Sequence, residues 1–452
     1  MDESECALII SGLSRTSGGK GRGIGYDDPS CSLRSRARVT PQLLRLYAIG
    51  AVMKSWLRFS LGGLSTLLLL TVMPVAAQPT QPLRVGVIGP FTGPSSDFGI
   101  PMLNGVKLAV DEINAVGGYM GRPLELVIKD DEGNNDVGRQ RSEELANAGV
   151  VAAIGFCNTG VAMRSLEVFQ QAQLPLIVPC SAGTPVTAAI PAPESYVFRI
   201  QARDAIQSPF VVEDLVRRGW TRVAIFADTT GFGDAGLIDV EAALAAQGLT
   251  PVHVTRFPLG VTDLSNDLRA ARAAGANVIY SITVGPENAA IALGRRNLGW
   301  NVPQVGGWPL SFPFFIEGAG AAAEGALMAQ TFIAEPSNVR RAAFLTAYDR
   351  KFNQPIRVPM AAAQAYDATY LLMYALFTIR DGQFSGPTVK RALENIPRVY
   401  FGVVATFDRP WSPDNKDAIT PNMLVMGKVQ NGRITFAYPE DARRNLRVQR
   451  NR

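Results

Sequence analysis

The sequence predicts an α/β protein with two similar lobes, each built on a parallel sheet, and three chain crossings between them. Short apolar runs alternate with amphipathic stretches over residues 82–440. The runs are continuously apolar, which is what strands covered on both faces require. A repeated strand–helix–strand order produces parallel sheets with right-handed crossovers. The series pauses once and then resumes, so we expect two lobes.

The apolar runs give the predicted strands, and the stretches between them give the predicted helices. In the first predicted helix, Val106, Ala109, Val110 and Ile113 share one face, as in an amphipathic helix. The predicted strands are 83–88, 124–128, 150–154, 174–178, 223–226, 252–255, 278–281 and 303–305. The predicted helices are 104–115, 137–148, 161–171, 205–218, 233–246, 264–274 and 287–298.

Three segments interrupt the alternation and are predicted crossings between the lobes: 191–203, 328–334 and 399–405. Ligands in open α/β sheets bind beyond the carboxyl ends of the strands, and a few flexible crossings form a hinge. We therefore expect a ligand cleft between the lobes. The predicted organisation is lobe 1 at 82–201 plus 332–400, lobe 2 at 202–331 plus 401–440, and a C-terminal tail at 441–452.

Residues 53–77 are predicted to be a cleaved secretory signal, which implies a periplasmic location. Lys54 and Arg58 precede an apolar run over 61–72, and Pro74 is followed by small residues. The run is short for a bilayer span, so a membrane anchor is the weaker alternative. Met53 has the features of the true start. Residues 1–52 are therefore expected to be a non-native or disordered leader.

Composition argues against several function classes. The net charge is +5, but residues 1–77 carry nine Lys and Arg against five Asp and Glu, so nothing indicates nucleic-acid binding. Beyond the leader the sequence has one histidine, His253, and two cysteines, Cys157 and Cys180, so we expect no metal site. No cofactor motif and no nucleophile–base pair is evident, so we expect a protein that is not an enzyme.

Candidate ligand-binding residues follow the predicted strands. Thr159 opens a helix and could bind a carboxylate, although a plain helix cap is the simpler interpretation. Ser181 could add a hydroxyl donor or be part of a polar turn. Glu287 could pair with an ammonium group, or could favour the start of its helix through the helix dipole. Phe98 and Phe232 could line the cleft or pack in the core.

Four segments carry a family resemblance. They are VGVIGPFTGPSSDFGIPMLNGVKLAVDEINAVGGYMGRPLELVIKDDEGN, AAIGFCNTGVAMRSLEVFQQAQLPLIVPCSAGT, YVFRI and VAIFADTTGFGDAGL. The chain resembles the Leu/Ile/Val-type (type I) periplasmic binding proteins, the extracytoplasmic receptors of bacterial ABC importers. The resemblance implies flavodoxin-like lobes, hinge closure on a small ligand and delivery to a membrane permease. We also expect a monomer.

The resemblance also implies roles for particular residues. Thr159 and the loop Cys180, Ser181 and Ala182 would bind the ligand carboxylate, and Glu287 would bind its ammonium. Phe98 and Phe232 stand where familiar members often have tyrosine.

In the family that the chain resembles, a disulfide often joins the loop after the second strand to the loop after the third. The first of these cysteines is missing here, since residues 130–134 contain none. Cys157 and Cys180 instead end two neighbouring predicted strands, about 4.8 Å apart in a sheet, and are predicted to be bonded.

The expected ligand is a branched-chain or other apolar amino acid. The alternatives are an aromatic or aliphatic carboxylate or an amide, a sensor subunit that presents its ligand to a signalling partner, and an enzyme on the same fold.

Overall fold

The computed structural model describes residues 81–443, and it confirms the predicted fold class of two α/β lobes with parallel sheets. The leader, the signal segment and residues 444–452 lie outside the described residues. The strands are β1 Leu83–Gly89, β2 Leu124–Asp130, β3 Ala153–Ile154, β4 Leu176–Val178, β5 Val197–Arg199, β6 Val223–Asp228, β7 His253–Phe257, β8 Val278–Ile282, β9 Gln304–Gly306, β10 Leu327–Gln330, β11 Tyr400–Phe401, β12 Thr406–Phe407, β13 Val425–Gln430 and β14 Arg433–Phe436.

The helices fill most of the chain between the strands. They are α1 Ser96–Ala115, α2 Asn135–Ala146, α3 Thr159–Gln171, α4 Pro185–Ala188, α5 Asp204–Arg217, α6 Gly231–Ala246, α7 Ser265–Ala273, α8 Glu287–Asn297, α9 Pro313–Ala319, α10 Val339–Phe352, α11 Pro359–Leu376 and α12 Gly386–Glu394. Short 3-10 helices lie at Trp308–Ser311, Gly320–Ala322, Pro421–Met423 and Pro439–Arg443.

Lobe 1 is built on a five-stranded parallel sheet in the order β2-β1-β3-β4-β5. In the central strand β1, Val87 pairs with Ile128 on one side and Ile154 on the other. Val87 is fully buried, which explains why β1 is apolar along its length. Helix α11 returns late in the chain to pack along α1. Its small residues 361–363 are fully buried, and small side chains allow close packing.

Lobe 2 is built on a seven-stranded sheet in the order β14-β13-β10-β9-β8-β6-β7. The strands β6 to β10 are parallel, whereas β13 runs antiparallel to both β10 and β14. The predicted strands 223–226, 252–255, 278–281 and 303–305 correspond to β6, β7, β8 and β9. The antiparallel pair β13 and β14 was not predicted.

The chain passes between the lobes after β5, after β10 and near residues 420–424. The first two positions lie within or beside the predicted crossings. The predicted third crossing at 399–405 is wrong, because the chain stays on lobe 1 beyond it. Asp367 of α11 accepts hydrogen bonds from the backbone of Val403 and Val404, and Asp417 bridges to Arg199 of β5. Residues 401–419 therefore pack with lobe 1, not with lobe 2.

None of the helices between residues 81 and 443 is both long enough and apolar enough to cross a membrane.

Candidate ligand-binding site between the lobes

A cavity of about 550 Å³ opens between the two lobes, at the carboxyl ends of the parallel strands. Its size is within the range of small-molecule sites, about 300–1,000 Å³. It is bordered by the first turns of α2 and α3 from lobe 1 and of α6 from lobe 2. The lining is Pro94, Ser95, 132–136 and 158–161 from lobe 1, and 229–232, Leu259 and Val284 from lobe 2.

The lobes touch each other across this cleft. Gly231 of α6 lies against α3, since a Cβ built on it would be 3.1 Å from the Cα of Gly160. The ring of Phe98 in lobe 1 stacks on Phe312 of lobe 2 with 5.0 Å between ring centroids. Arg357 of lobe 1 forms an ion pair of 3.3 Å with Glu317 of lobe 2. The two lobes are therefore in contact across the cleft in this structure.

Lobe 1 brings a pair of hydroxyl groups to the start of α3. The Oγ1 of Thr159 lies 3.1 Å from the Oγ of Ser181, and the amide of Gly183 donates to Thr159 Oγ1 over 3.2 Å. Both hydroxyl side chains are almost fully buried. The loop can approach this closely only because residue 183 is glycine, since a Cβ there would lie 2.3 Å from Thr159 Cγ2. The structure thus brings the predicted residues Thr159 and Ser181 together.

The start of α3 has no side-chain cap. Asn158 is the N-cap residue, but its side chain makes no capping hydrogen bond. Its Nδ2 donates to the Oγ of Ser95 over 3.1 Å, and its buried Oδ1 has no hydrogen-bond partner. Uncapped helix amides carry partial positive charge and attract anions. The positive end of α3 therefore faces the cavity that Asn158 and Thr159 line.

The lobe 2 side of the cavity is internally hydrogen-bonded. Thr230 caps α6, because its Oγ1 accepts from the amides of Phe232 and Gly233 over 3.2 and 3.4 Å. Asp228 is fully buried and accepts from the amide and hydroxyl of Thr230 and from the amide of Val284. Phe232, one of the predicted residues, lines the cavity.

Glu287 is fully buried but does not line the cavity. One carboxylate oxygen accepts from the amide of Gly260 over 2.5 Å, and the other accepts from the hydroxyl of Thr283 over 3.2 Å. All three residues belong to lobe 2. This geometry fits the helix-start interpretation of Glu287, and its role toward a ligand ammonium stays a prediction that the geometry does not favour.

An aromatic cluster of Phe98, Trp308 and Phe312 joins the two lobes. Trp308 lies edge-on to Phe312 with 4.7 Å between centroids, and Phe98 packs against both. Trp308 and Phe312 are buried and were missed by the sequence analysis. They follow the predicted strand 303–305, so the same rule that singled out other strand-exit loops could have found them.

Four other predicted residues do not line the cavity: Phe98, Cys180, Ser181 and Ala182. The carbonyl of Ala182 accepts from the amide of Asp204 over 2.9 Å, and Cys180 is fully buried.

The predicted disulfide between Cys157 and Cys180 is not formed in the structure, where both are free thiols. The Sγ of Cys157 is directed toward α1, 3.5 Å from Met102 Sδ. Burial, and then the contact with Cys180, raises the pKa of the Cys157 thiol well above its usual value.

The chain matches the periplasmic binding protein family over residues 82–433. It is 29% identical over 248 residues to Leu/Ile/Val-binding protein homolog 3 of Brucella melitensis, a match that covers 54% of this chain and 66% of the relative. The chain thus spans about two thirds of that relative's length.

Solved structures share the fold. A periplasmic binding protein type 1 from Bordetella pertussis has a TM-score of 0.72 at 23% identity, covering 79% of this chain and 99% of its own. An ABC transporter solute binding protein from Rhodopseudomonas palustris, in complex with 3,4-dihydroxybenzoic acid, has a TM-score of 0.66 at 21% identity and covers 78% of this chain and 94% of its own. With the two lobes, the cleft at the strand ends and the match over residues 82–433, the chain belongs to the periplasmic binding protein family.

Proposed function

We propose that this protein is a periplasmic solute receptor that closes its lobes on a small carboxylate with an apolar body and presents it to an ABC permease. The observation that carries the proposal is the hydroxyl pair of Thr159 and Ser181 at the uncapped start of α3. Hydrogen bonds to a charged acceptor contribute about 1.5–3 kcal/mol each, more than neutral ones. An anion is therefore the ligand group that this side of the cleft suits.

The cleft offers less to an ammonium group. The carboxylates that line the cavity are Glu132 and Asp136, both exposed at its rim. Exposed ion pairs contribute about 0–1 kcal/mol, so they would hold an ammonium weakly. Glu287 is already engaged by Gly260 and Thr283. A carboxylate without an ammonium therefore fits the described residues better than a zwitterion.

The body of the ligand would contact aromatic and aliphatic side chains. Phe232, Leu259 and Val284 line the cavity from lobe 2. The solved structure with 3,4-dihydroxybenzoic acid makes an aromatic acid a reasonable member of this class. The Brucella relative's name supports a second candidate, a branched-chain amino acid. In that case Glu287 would have to exchange its present partners for the ligand.

Delivery to an ABC permease is proposed from family membership, and so are the periplasmic location and a monomeric state. A sensor role would use the same closure and would differ only in the partner protein that binds the closed form. Catalysis is not part of the proposal, because the carboxylates that line the cavity, Glu132 and Asp136, are exposed and neither is hydrogen-bonded to the hydroxyl of Thr159 or Ser181.

A thermal-shift panel of matched pairs tests the proposal. The pairs are 4-methylpentanoate with leucine, 3-phenylpropanoate with phenylalanine, and benzoate with benzamide. The first two differ by the ammonium, and the third by the anionic charge. A ligand at 100 times its Kd stabilises the folded state by about 2.7 kcal/mol. We expect the acid of at least one pair to raise the Tm more than its partner does. Stronger stabilisation by the amino acids, or by the amide, would overturn the proposed ligand class.

A further inference from the structure

Two acidic residues of lobe 2, Asp204 and Asp239, contact a loop of lobe 1, one through its backbone and the other through its side chain. The Oγ1 of Thr184 donates to Asp239 Oδ2 over 2.7 Å, which joins the lobes directly. The same oxygen accepts from the amide of Ala205 over 2.9 Å. The amide of Asp204 donates to the carbonyl of Ala182, also over 2.9 Å. The acid pair of Asp204 and Asp239 therefore lies at the contact between the lobes.

Asp204 is not fully paired in this environment. Its side chain is 5% exposed. Its Oδ1 accepts from Gln207 Nε2 over 3.2 Å, whereas Oδ2 is buried and has no hydrogen-bond partner. A buried carboxylate oxygen without a partner is costly when charged, and protonation lowers that cost. The closed arrangement therefore favours the neutral form of Asp204.

The charged groups around Asp204 and Asp239 do not reverse the preference of Asp204 for its neutral form. The charge of Arg199 in β5 acts on both acids, but its guanidinium is bound to Asp417 over 2.7 Å, and Arg203 lies 3.4 Å from that same carboxylate. Burial, reinforced by the charge of Asp239 and opposed by Arg199, raises the pKa of Asp204 to about 8.

Burial also raises the pKa values of two neighbouring groups, those of Asp239 and Tyr280. Burial raises the pKa of Asp239 as well, against its Thr184 hydrogen bond and the charges of Arg203 and Arg199. Tyr280 of β8 interacts with both acids and remains neutral, since burial raises the pKa of its hydroxyl.

We propose that closing of the lobes takes up a proton on the pair formed by Asp204 and Asp239. The proposal rests on the hinge closure of the proposed function. Opening would separate Asp239 from Thr184 and admit water to the pair, so both carboxyls would ionise at lower pH. Because the pKa is higher in the closed state, protonation favours closure. That advantage is complete below the open-state pKa, declines as the pH rises above it, and is lost once the pH has passed about 8.

Closure can be measured without any ligand by double electron–electron resonance. Nitroxide labels would be placed on Gln140→Cys in α2 and Ala270→Cys in α7 of lobe 2, both exposed positions away from the cavity lining, while the two cysteines within residues 81–443, Cys157 and Cys180, are buried. We expect the ratio of closed to open molecules to fall about tenfold between about pH 7 and pH 9, as one proton with a pKa near 8 requires.

Three variants test whether Asp204 and Asp239 cause the pH dependence of closure. Asp204→Asn keeps the shape of the side chain and should remove most of the pH dependence. Asp239→Asn should reduce it and serves as the second variant if Asp204→Asn does not fold. Asp263→Asn, an exposed acid whose hydrogen bonds with Ser265 lower its pKa, should behave as the parent protein.

A ratio that does not change with pH in the parent, or a pH dependence that both the Asp204 and the Asp239 variants retain, would overturn the proposal. Failure of the carboxylate panel would leave this result unaffected, because no ligand is used.

Discussion

Gly231, the first residue of α6, lies against the backbone of Gly160 in the first turn of α3. A Cβ on Gly231 would be 3.1 Å from the Cα and 3.2 Å from the amide nitrogen of Gly160. The two helix starts therefore meet without any side chain between them. This contact places the positive ends of two helix dipoles on one cleft, where they would attract an anion together.

Enlarging residue 231 should hold the lobes apart. Gly231→Val places a branched side chain in this contact, so we expect at least tenfold weaker ligand binding with little change in Tm. Gly231→Ala should have a smaller effect, since a shift of a few tenths of an ångström relieves it. Ile238→Ala, at an exposed position of the same helix, is the control. Calorimetry measures the Kd, and equal affinity in the valine variant would contradict the closed geometry.

The ion pair between Arg199 and Asp417 should be important for stability. Arg199 is fully buried and also donates to the carbonyl of Gly183 over 2.7 Å, so it holds the loop that supports Thr159. Asp417→Ala would leave the guanidinium without its charge partner, at a cost of about 3–5 kcal/mol in the free energy of unfolding. Denaturant titration measures this. Asp408→Ala, an exposed acid on the same segment, should cost little. Equal stability of the two variants would contradict the assigned role.

Substitutions of Thr159 and Glu287 should have clearly different effects on ligand binding and on stability. Thr159→Val removes the hydroxyl that the cleft offers to an anion, and we expect the Kd for a bound acid to rise at least tenfold. Glu287→Gln changes a side chain that is engaged within lobe 2, so we expect lower stability and a Kd within about twofold of the parent. The Kd is measured by calorimetry and the stability by thermal unfolding. The opposite pattern would restore Glu287 as the ammonium partner and favour an amino acid.

The cysteines allow a chemical test of the structure. Two free thiols should be titrated in the unreduced, denatured protein that contains residues 81–443. In the native protein, Cys157 should react slowly with iodoacetamide, because it is buried and its raised pKa leaves little thiolate. Finding no thiols after denaturation would mean that the disulfide predicted from the sequence does form.

Much of the fold could be predicted because parallel strands are buried on both faces. The run at 83–88 is an example, since β1 has neighbours on both sides. Strands β5 and β10 were missed because they fall in or overlap the segments 191–203 and 328–334, which were interpreted as crossings between the lobes. Helix α1 begins at Ser96 rather than near residue 104, because Pro101 made its first turns resemble a loop. Burial patterns predict the elements within the regular alternation of strands and helices, but not the strands that lie where the chain crosses between the lobes.

The candidate site was predicted only in part, for a geometric reason. Thr159 and Phe232 were found because they follow strands, and strand ends meet at the cleft. The position of a residue after a strand does not give the direction of its side chain. Glu287 also follows a strand, but its carboxylate is hydrogen-bonded within its own lobe. Contacts between lobes, such as that of Phe98 with Trp308, depend on how the lobes meet. No local pattern in the sequence encodes that.

The most direct test of the account is a calorimetric titration of the protein with 3-phenylpropanoate and, separately, with phenylalanine. The two share their carboxylate and ring, and only phenylalanine carries an ammonium. If the cleft is built for an acid with an apolar body, 3-phenylpropanoate should bind at one site and more tightly than phenylalanine. Tighter binding of phenylalanine by tenfold or more would contradict the account.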